Sequence, residues 1–181
     1  MLVSGPVASG KSTLGAALAA RLGAALLDQD VLTGPLTSVV GSLVGSDDLD
    51  DPALAIPTRA ARYESLLATT VDNLRVGRAV VAVAPFTEER ADPQAWARVR
   101  DRLVTAGGNP LLVWLRIDPD ELLRRLRARG APRDRGKLAD PSALLATSAL
   151  TPPSAEHLAL DATWPTQRLA RALEAFLSRR C

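Results

Sequence analysis

The first thirteen residues constrain this chain more than any other stretch. Met1-Leu-Val-Ser4 reads as a short apolar strand. It runs into Gly5-Pro-Val-Ala-Ser-Gly10-Lys11-Ser12-Thr13 and then into an Ala- and Leu-rich helical pattern. A glycine, four residues, then Gly-Lys-Ser, set between a strand and a helix, is the spacing that lets backbone curl around an anion. Glycines at the two ends accept the sharp turn, successive N–H groups point inward, and the following helix presents its N-terminus to the same centre. Lys11 is long enough to reach terminal phosphates, and a hydroxyl such as that of Ser12 ligates Mg²⁺ in loops of this kind. Gly5, Ala8, Ser9, Gly10, Lys11, Ser12 and Thr13 are therefore expected to hold a nucleoside triphosphate, with Lys11 acting in catalysis and Ser12 on the metal.

Lysine usage points the same way. Of 22 basic residues only Lys11 and Lys137 are lysines, so an arginine-rich chain keeps a compact ammonium at the loop position that suits phosphate contact. The remaining composition narrows the class. With 47% hydrophobic and 3% aromatic residues, the chain carries a helix-rich core at a length that fits one domain over 1–181. A net charge of +2 requires neither nucleic acid nor an anionic membrane as partner. No apolar run is long enough to span a bilayer. The first strand already begins at Met1, so no leader segment is expected, and cytoplasmic localisation is expected. The lone cysteine, Cys181, excludes an internal disulfide and a cysteine metal cluster.

Apolar runs alternate with helical periodicity along the chain. A helix is expected over 10–22 and a strand over 24–28, with short helices and loops over the Gly-, Ser- and Pro-bearing residues 31–56. A helix follows over 59–76, starting near Pro57 and stopping at Gly77. Then come a strand over 79–84, a helix over 92–107, a strand over 111–117, and a helix from Asp118-Pro119 to residue 129. A polar Arg-rich segment covers 130–140, a short helix 141–148, a weak strand 157–160 and a last helix 166–179. Strands buried on both faces and alternating with helices mean a parallel α/β sheet.

Two further groups of residues suit phosphoryl chemistry. The second strand ends in Asp28-Gln29-Asp30, and open parallel sheets bind ligands beyond the C-terminal ends of their strands. Carboxylates there can support Mg²⁺ or take a proton from an attacking hydroxyl. The next strand ends in Ala84-Pro85-Phe86, where many motor-type ATPases carry an acid, so the metal burden falls on Ser12 and Asp28. Pro85-Phe86 suits either a pocket wall or the core. Arg125 and Arg129 share one helix face, and Arg133, Arg135 and Lys137 extend the charge into a segment able to close over a triphosphate. His157 and Trp114 read as structural.

On these motifs the chain resembles the small phosphate-loop kinases, the group containing shikimate, gluconate, chloramphenicol and zeta-toxin kinases, and it is similar to the AAA-family ATPase kinases. The resemblance implies a P-loop NTPase fold: three α/β/α layers, a five-stranded parallel sheet in the order 2-3-1-4-5, and an Arg-rich lid over 129–140. It implies Asp30 as the base or acceptor-binding carboxylate and Asp28 beside Ser12 on Mg²⁺. Arg125 would stack on adenine, Arg129 would reach phosphate as a catalytic residue, and Arg133 would join the nucleotide site. Residues 31–62 would bind the acceptor, with Arg59 and Arg62 gripping an anionic one.

The expected activity is ATP-dependent transfer of the γ-phosphoryl group to a hydroxyl of a small polar metabolite or antibiotic, by a monomer or homodimer. One alternative is a nucleotide or sugar-nucleotide kinase of the toxin type. The other is a binding protein switched by nucleotide, with slow ATP hydrolysis.

Overall fold

A computed structural model of the protein describes residues 1–131, 134–146 and 150–179. Five short apolar runs form one parallel sheet: β1 (Leu2–Ser4), β2 (Ala25–Asp28), β3 (Val80–Val83), β4 (Leu112–Arg116) and β5 (Leu158–Asp161). Their spatial order is β2-β3-β1-β4-β5, the order expected from the sequence. β1 lies at the centre, with Leu2 opposite both Ala82 and Leu112. The three inner strands are buried and the two edge strands are partly exposed, as solvent on one side requires.

Alternation along the inner strands divides the core into two layers. Val3, Val81, Val83, Val113 and Leu115 pack against α1 (Lys11–Leu22), α6 (Pro119–Arg129) and α9 (Thr166–Ser178). Leu2, Val80, Ala82 and Leu112 face the other way, onto α3 (Pro52–Arg75) and α5 (Pro93–Thr105). Phe86 is completely buried in this second layer, edge-on to Tyr63 with ring centroids 6.1 Å apart, so of Pro85-Phe86 the phenylalanine belongs to the core and the proline is exposed. Trp114 is buried as expected.

The structure departs from the sequence reading between residues 29 and 75. Instead of short helices and loops, α2 (Gln29–Val44) is one continuous helix, and α3 begins at Pro52, ahead of Pro57. Both starts are capped: Asp28 accepts from the Asp30 N–H and Asp51 from the Ala53 N–H, with Pro52 in the first turn. Pro35 and Pro57 lie inside these helices, each removing one i→i−4 bond without ending the helix. α2 stops where Gly45 turns left-handed and returns its N–H to the Gly41 carbonyl. Three short helices complete the fold: α4 (Thr87–Ala91), α7 (Arg135–Ala139) and α8 (Pro141–Ala146). Arg133, Cys181 and the end of the expected 141–148 helix lie outside the described residues.

α1 approaches the sheet so closely that a Cβ at Gly15 would stand 2.4 Å from Val83 Cγ2. Helix propensity alone favours alanine over glycine by up to about 1 kcal/mol. Overpacking a stiff, buried valine costs typically about 1–3 kcal/mol and decides the sign. Gly15→Ala is therefore expected to lower the unfolding midpoint in urea at unchanged slope. A midpoint equal to or above wild type would show that α1 can move away freely.

Candidate active site

The site lies along the C-terminal edge of the sheet, where β1 runs into the loop over residues 5–10. Gly5 (φ 156°), Ala8 (φ 57°) and Gly10 (φ 92°) turn the backbone through positive φ. A Cβ at Gly5 would stand 2.7 Å from Ser9 Oγ and 3.0 Å from the Leu115 carbonyl oxygen, so only glycine fits this approach. Backbone turned in this way directs N–H groups into one concavity, and α1 starts at its floor. Ser9 Oγ is buried without a hydrogen-bond partner. Lys11 Nζ donates across the loop to the Pro6 carbonyl at 2.6 Å.

Electrostatics at Lys11 combine burial with four neighbouring charges. Desolvation lowers its pKa to about 8, the carboxylates of Asp30 and Asp28 oppose that shift, and the guanidinium groups of Arg90 and Arg129 add to it. A half-buried ammonium held by one carbonyl, a buried unpaired hydroxyl and a ring of backbone donors fit a bound polyphosphate. For a metal the donors are oxygens: the Ser12 hydroxyl, exposed in the first turn of α1, and half-buried Asp28. Among the described residues no group of three or more His, Cys, Asp and Glu side chains could hold a metal. That donor set fits Mg²⁺, which keeps waters and shares substrate phosphates, better than an all-protein cage.

Asp30, in the first turn of α2, receives Arg62 Nη2 at 2.8 Å, while Arg62 Nε donates to Thr33 Oγ1 at 3.1 Å. This pair closes one end of a groove of about 500 Å³ between α2 and α3. Thr37, Ser38, Ser42, Ser46 and Asp47 supply its polar lining, and glycines of α2 keep it open. Arg59 is exposed on α3 and does not line the groove; its charge acts on Tyr63 and Glu89. Burial pushes the Glu89 carboxyl up.

From the opposite side α6 brings two arginines. Arg125 donates to Glu121 Oε1 at 2.6 Å, the Ala162 carbonyl at 2.7 Å and the Ser9 carbonyl at 3.4 Å, which ties the loop to the end of β5. Arg129 forms a bidentate pair with Asp134, at 2.7 and 2.5 Å, and Asp134 is only 1% exposed. In α7, Lys137 pairs with Asp50 in the loop between α2 and α3.

Residues 1–153 match the AAA domain family. The chain belongs to this AAA-domain family. Its fold is that of the phosphate-loop kinases among solved structures. A gluconokinase from Sinorhizobium meliloti is 22% identical, with 98% of this chain and 90% of that one covered at a TM-score of 0.59. The shikimate kinase of Bacteroides thetaiotaomicron is 17% identical, with 98% and 97% covered at 0.62. The APS kinase of Mycobacterium tuberculosis, in complex with AMPPNP and APS, is 20% identical, with 98% and 96% covered at 0.59. Among curated proteins none matches this sequence.

In this AAA-domain protein the loop residues, Asp28, Asp30, Arg125 and Arg129 converge on one edge of the sheet. Sequence reasoning missed Arg90. Its guanidinium is 4.5 Å from the Trp114 ring centroid and donates to the carbonyls of Pro85 and Thr151, at 3.1 and 2.9 Å. It missed Asp134 as the partner of Arg129 as well. No local motif marks either residue, because both depend on contacts made by the folded chain.

The pKa of Lys11 gives a proton-linkage test. Its folded value, about 8, lies below the ordinary 10.5, so the free protein binds fewer protons than the unfolded chain between those values. The resulting penalty is fully present below pH 8 and fades as pH rises towards 10.5. A bound polyphosphate favours the ammonium and raises the pKa again. Calorimetry in buffers of different ionisation enthalpy should therefore show proton uptake when ADP binds above pH 8, and none well below it. Equal uptake at both pH values would detach Lys11 from the phosphates.

Proposed function

We propose that the protein is an ATP-dependent kinase that moves the γ-phosphoryl group to a hydroxyl of a small polar acceptor seated between α2 and α3. One observation carries the reading. Asp30 lines the acceptor groove, and its charge acts on Lys11 of the phosphate loop. A carboxylate common to both compartments suits in-line transfer between them. The structural relatives, a gluconokinase, a shikimate kinase and an APS kinase, support the same class.

The loop N–H groups and Lys11 hold the β- and γ-phosphates, and Arg62 keeps the Asp30 carboxylate turned to the groove. The acceptor oxygen forms a bond to Pγ as the bond from Pγ to the β-bridging oxygen breaks, and ADP leaves. The acceptor proton passes to Asp30. Ser12 and Asp28 would hold Mg²⁺, which would supply charge neutralisation at the phosphates. Arg129, with Arg125 behind the loop, adds guanidinium charge where negative charge accumulates. The lining also favours an acceptor class. Arg62 is engaged by Asp30 and Thr33, Asp47 adds a second carboxylate, and the remaining polar groups are hydroxyls. A neutral, hydroxyl-rich acceptor suits this groove better than an acid.

Mass spectrometry of a polar metabolite pool incubated with protein, Mg²⁺ and ATP should reveal a species one phosphoryl group heavier, absent with Lys11→Ala. Asp30→Asn should lower kcat on that acceptor by about 10²–10⁴ with nucleotide affinity retained. ATP bound but scarcely consumed, with no new species, would instead favour a nucleotide-switched binding protein. Full activity in Asp30→Asn would move the base to Asp28.

A further inference from the structure

α2 is turned inside out relative to an ordinary surface helix. Its inward residues are small or hydroxylic: Thr33, Thr37 and Gly41 are buried, and Ser38 and Ser42 line the groove. Its outward residues are apolar. Leu32, Leu36, Val39 and Leu43 are 38, 76, 58 and 81% exposed, and their spacing of four, three and four residues places them in one narrow stripe. Pro35, exposed and one turn from both Leu32 and Val39, widens it. A surface helix normally carries the opposite pattern.

We propose that this stripe is the interface of a homodimer in which α2 packs against α2 of a second copy across a two-fold axis. The exposed side chains of this stripe amount to roughly 400 Å², the size of the largest apolar patch a monomer usually leaves open and one that is often functional. The area is a large share of the roughly 800 Å² that each partner contributes to a stable interface. Charge selects the occupant. From Val31 to Ser46 the chain contains no charged residue, so two copies of the stripe meet without repulsion, as an isologous contact requires. A membrane surface is disfavoured because α2 has no Lys or Arg to flank the stripe and engage anionic headgroups. The four-three-four spacing is that of a coiled-coil seam, which suits helix-on-helix packing over the helix length of about 24 Å.

Sedimentation velocity of the full chain at tens of micromolar should give twice the protomer mass of 19.1 kDa. The double variant Leu36→Glu/Leu43→Glu should sediment as a monomer with a wild-type circular-dichroism spectrum, since both side chains point to solvent in the protomer. If the glutamates prevent folding, Leu36→Ala/Leu43→Ala should weaken the dimer at least tenfold in dissociation constant. Val76→Glu, an equally exposed apolar position at the far end of α3, should leave the dimer intact. A wild type that is monomeric at every concentration overturns the proposal, as does a dimer that survives the stripe substitutions or is broken as readily by Val76→Glu.

Discussion

The ammonium of Lys11 is the charge about which this site is arranged. It is partly withdrawn from water and held by one backbone carbonyl, among the carboxylates of Asp28 and Asp30 and the guanidinium groups of Arg90 and Arg129. Burying a cation is unfavourable unless its surroundings compensate. Asp28 and Asp30 do so in part, and a polyphosphate would complete the compensation. The fold supplies the geometry, because a central β1 between β3 and β4 brings the ends of all three strands to the same edge. The tight approach of Gly5 to Leu115 fixes the loop to that edge.

The arginines divide by what they touch. Arg125 acts as a brace, reaching from α6 to the carbonyls of Ser9 and Ala162. Arg90, stacked on Trp114, holds the turn after β3 from beneath. Arg129 is pinned by a buried carboxylate, which gives it a fixed orientation in place of a free swing. A bidentate pair of this kind uses the planar geometry of guanidinium and would be lost in a lysine. The choice of arginine at these positions therefore has a structural basis beyond charge.

Most of the sheet was legible because the inner strands are continuous apolar runs between clear stops. The order of strands came from resemblance to a kinase group, since spacing alone does not determine it. α2 was misread for a physical reason. Gly34-Pro35, Gly41 and Gly45 look like turn residues, yet in the folded chain glycines and serines are the residues that open a polar groove. The leucines that mark helical period point outward, where a core-seeking reading does not look for them. At α3, Asp51-Pro52 carried the start signal, but Pro57 masked it by offering a second one. Asp28, Asp30 and the loop were readable because their spacing is local. The pairs Asp30–Arg62 and Arg129–Asp134 become specific only once the fold has formed.

The scarcity of lysine has a chemical consequence. The chain carries two side-chain amines: Lys11 in the phosphate loop, and Lys137, which joins α7 to Asp50 between α2 and α3. With a pKa of about 8, Lys11 presents on the order of a few hundred times more free amine at neutral pH than an ordinary lysine. An acylating reagent would therefore address the two halves of the site almost alone among the side chains, and the extent of labelling at each amine would report how far that half is covered.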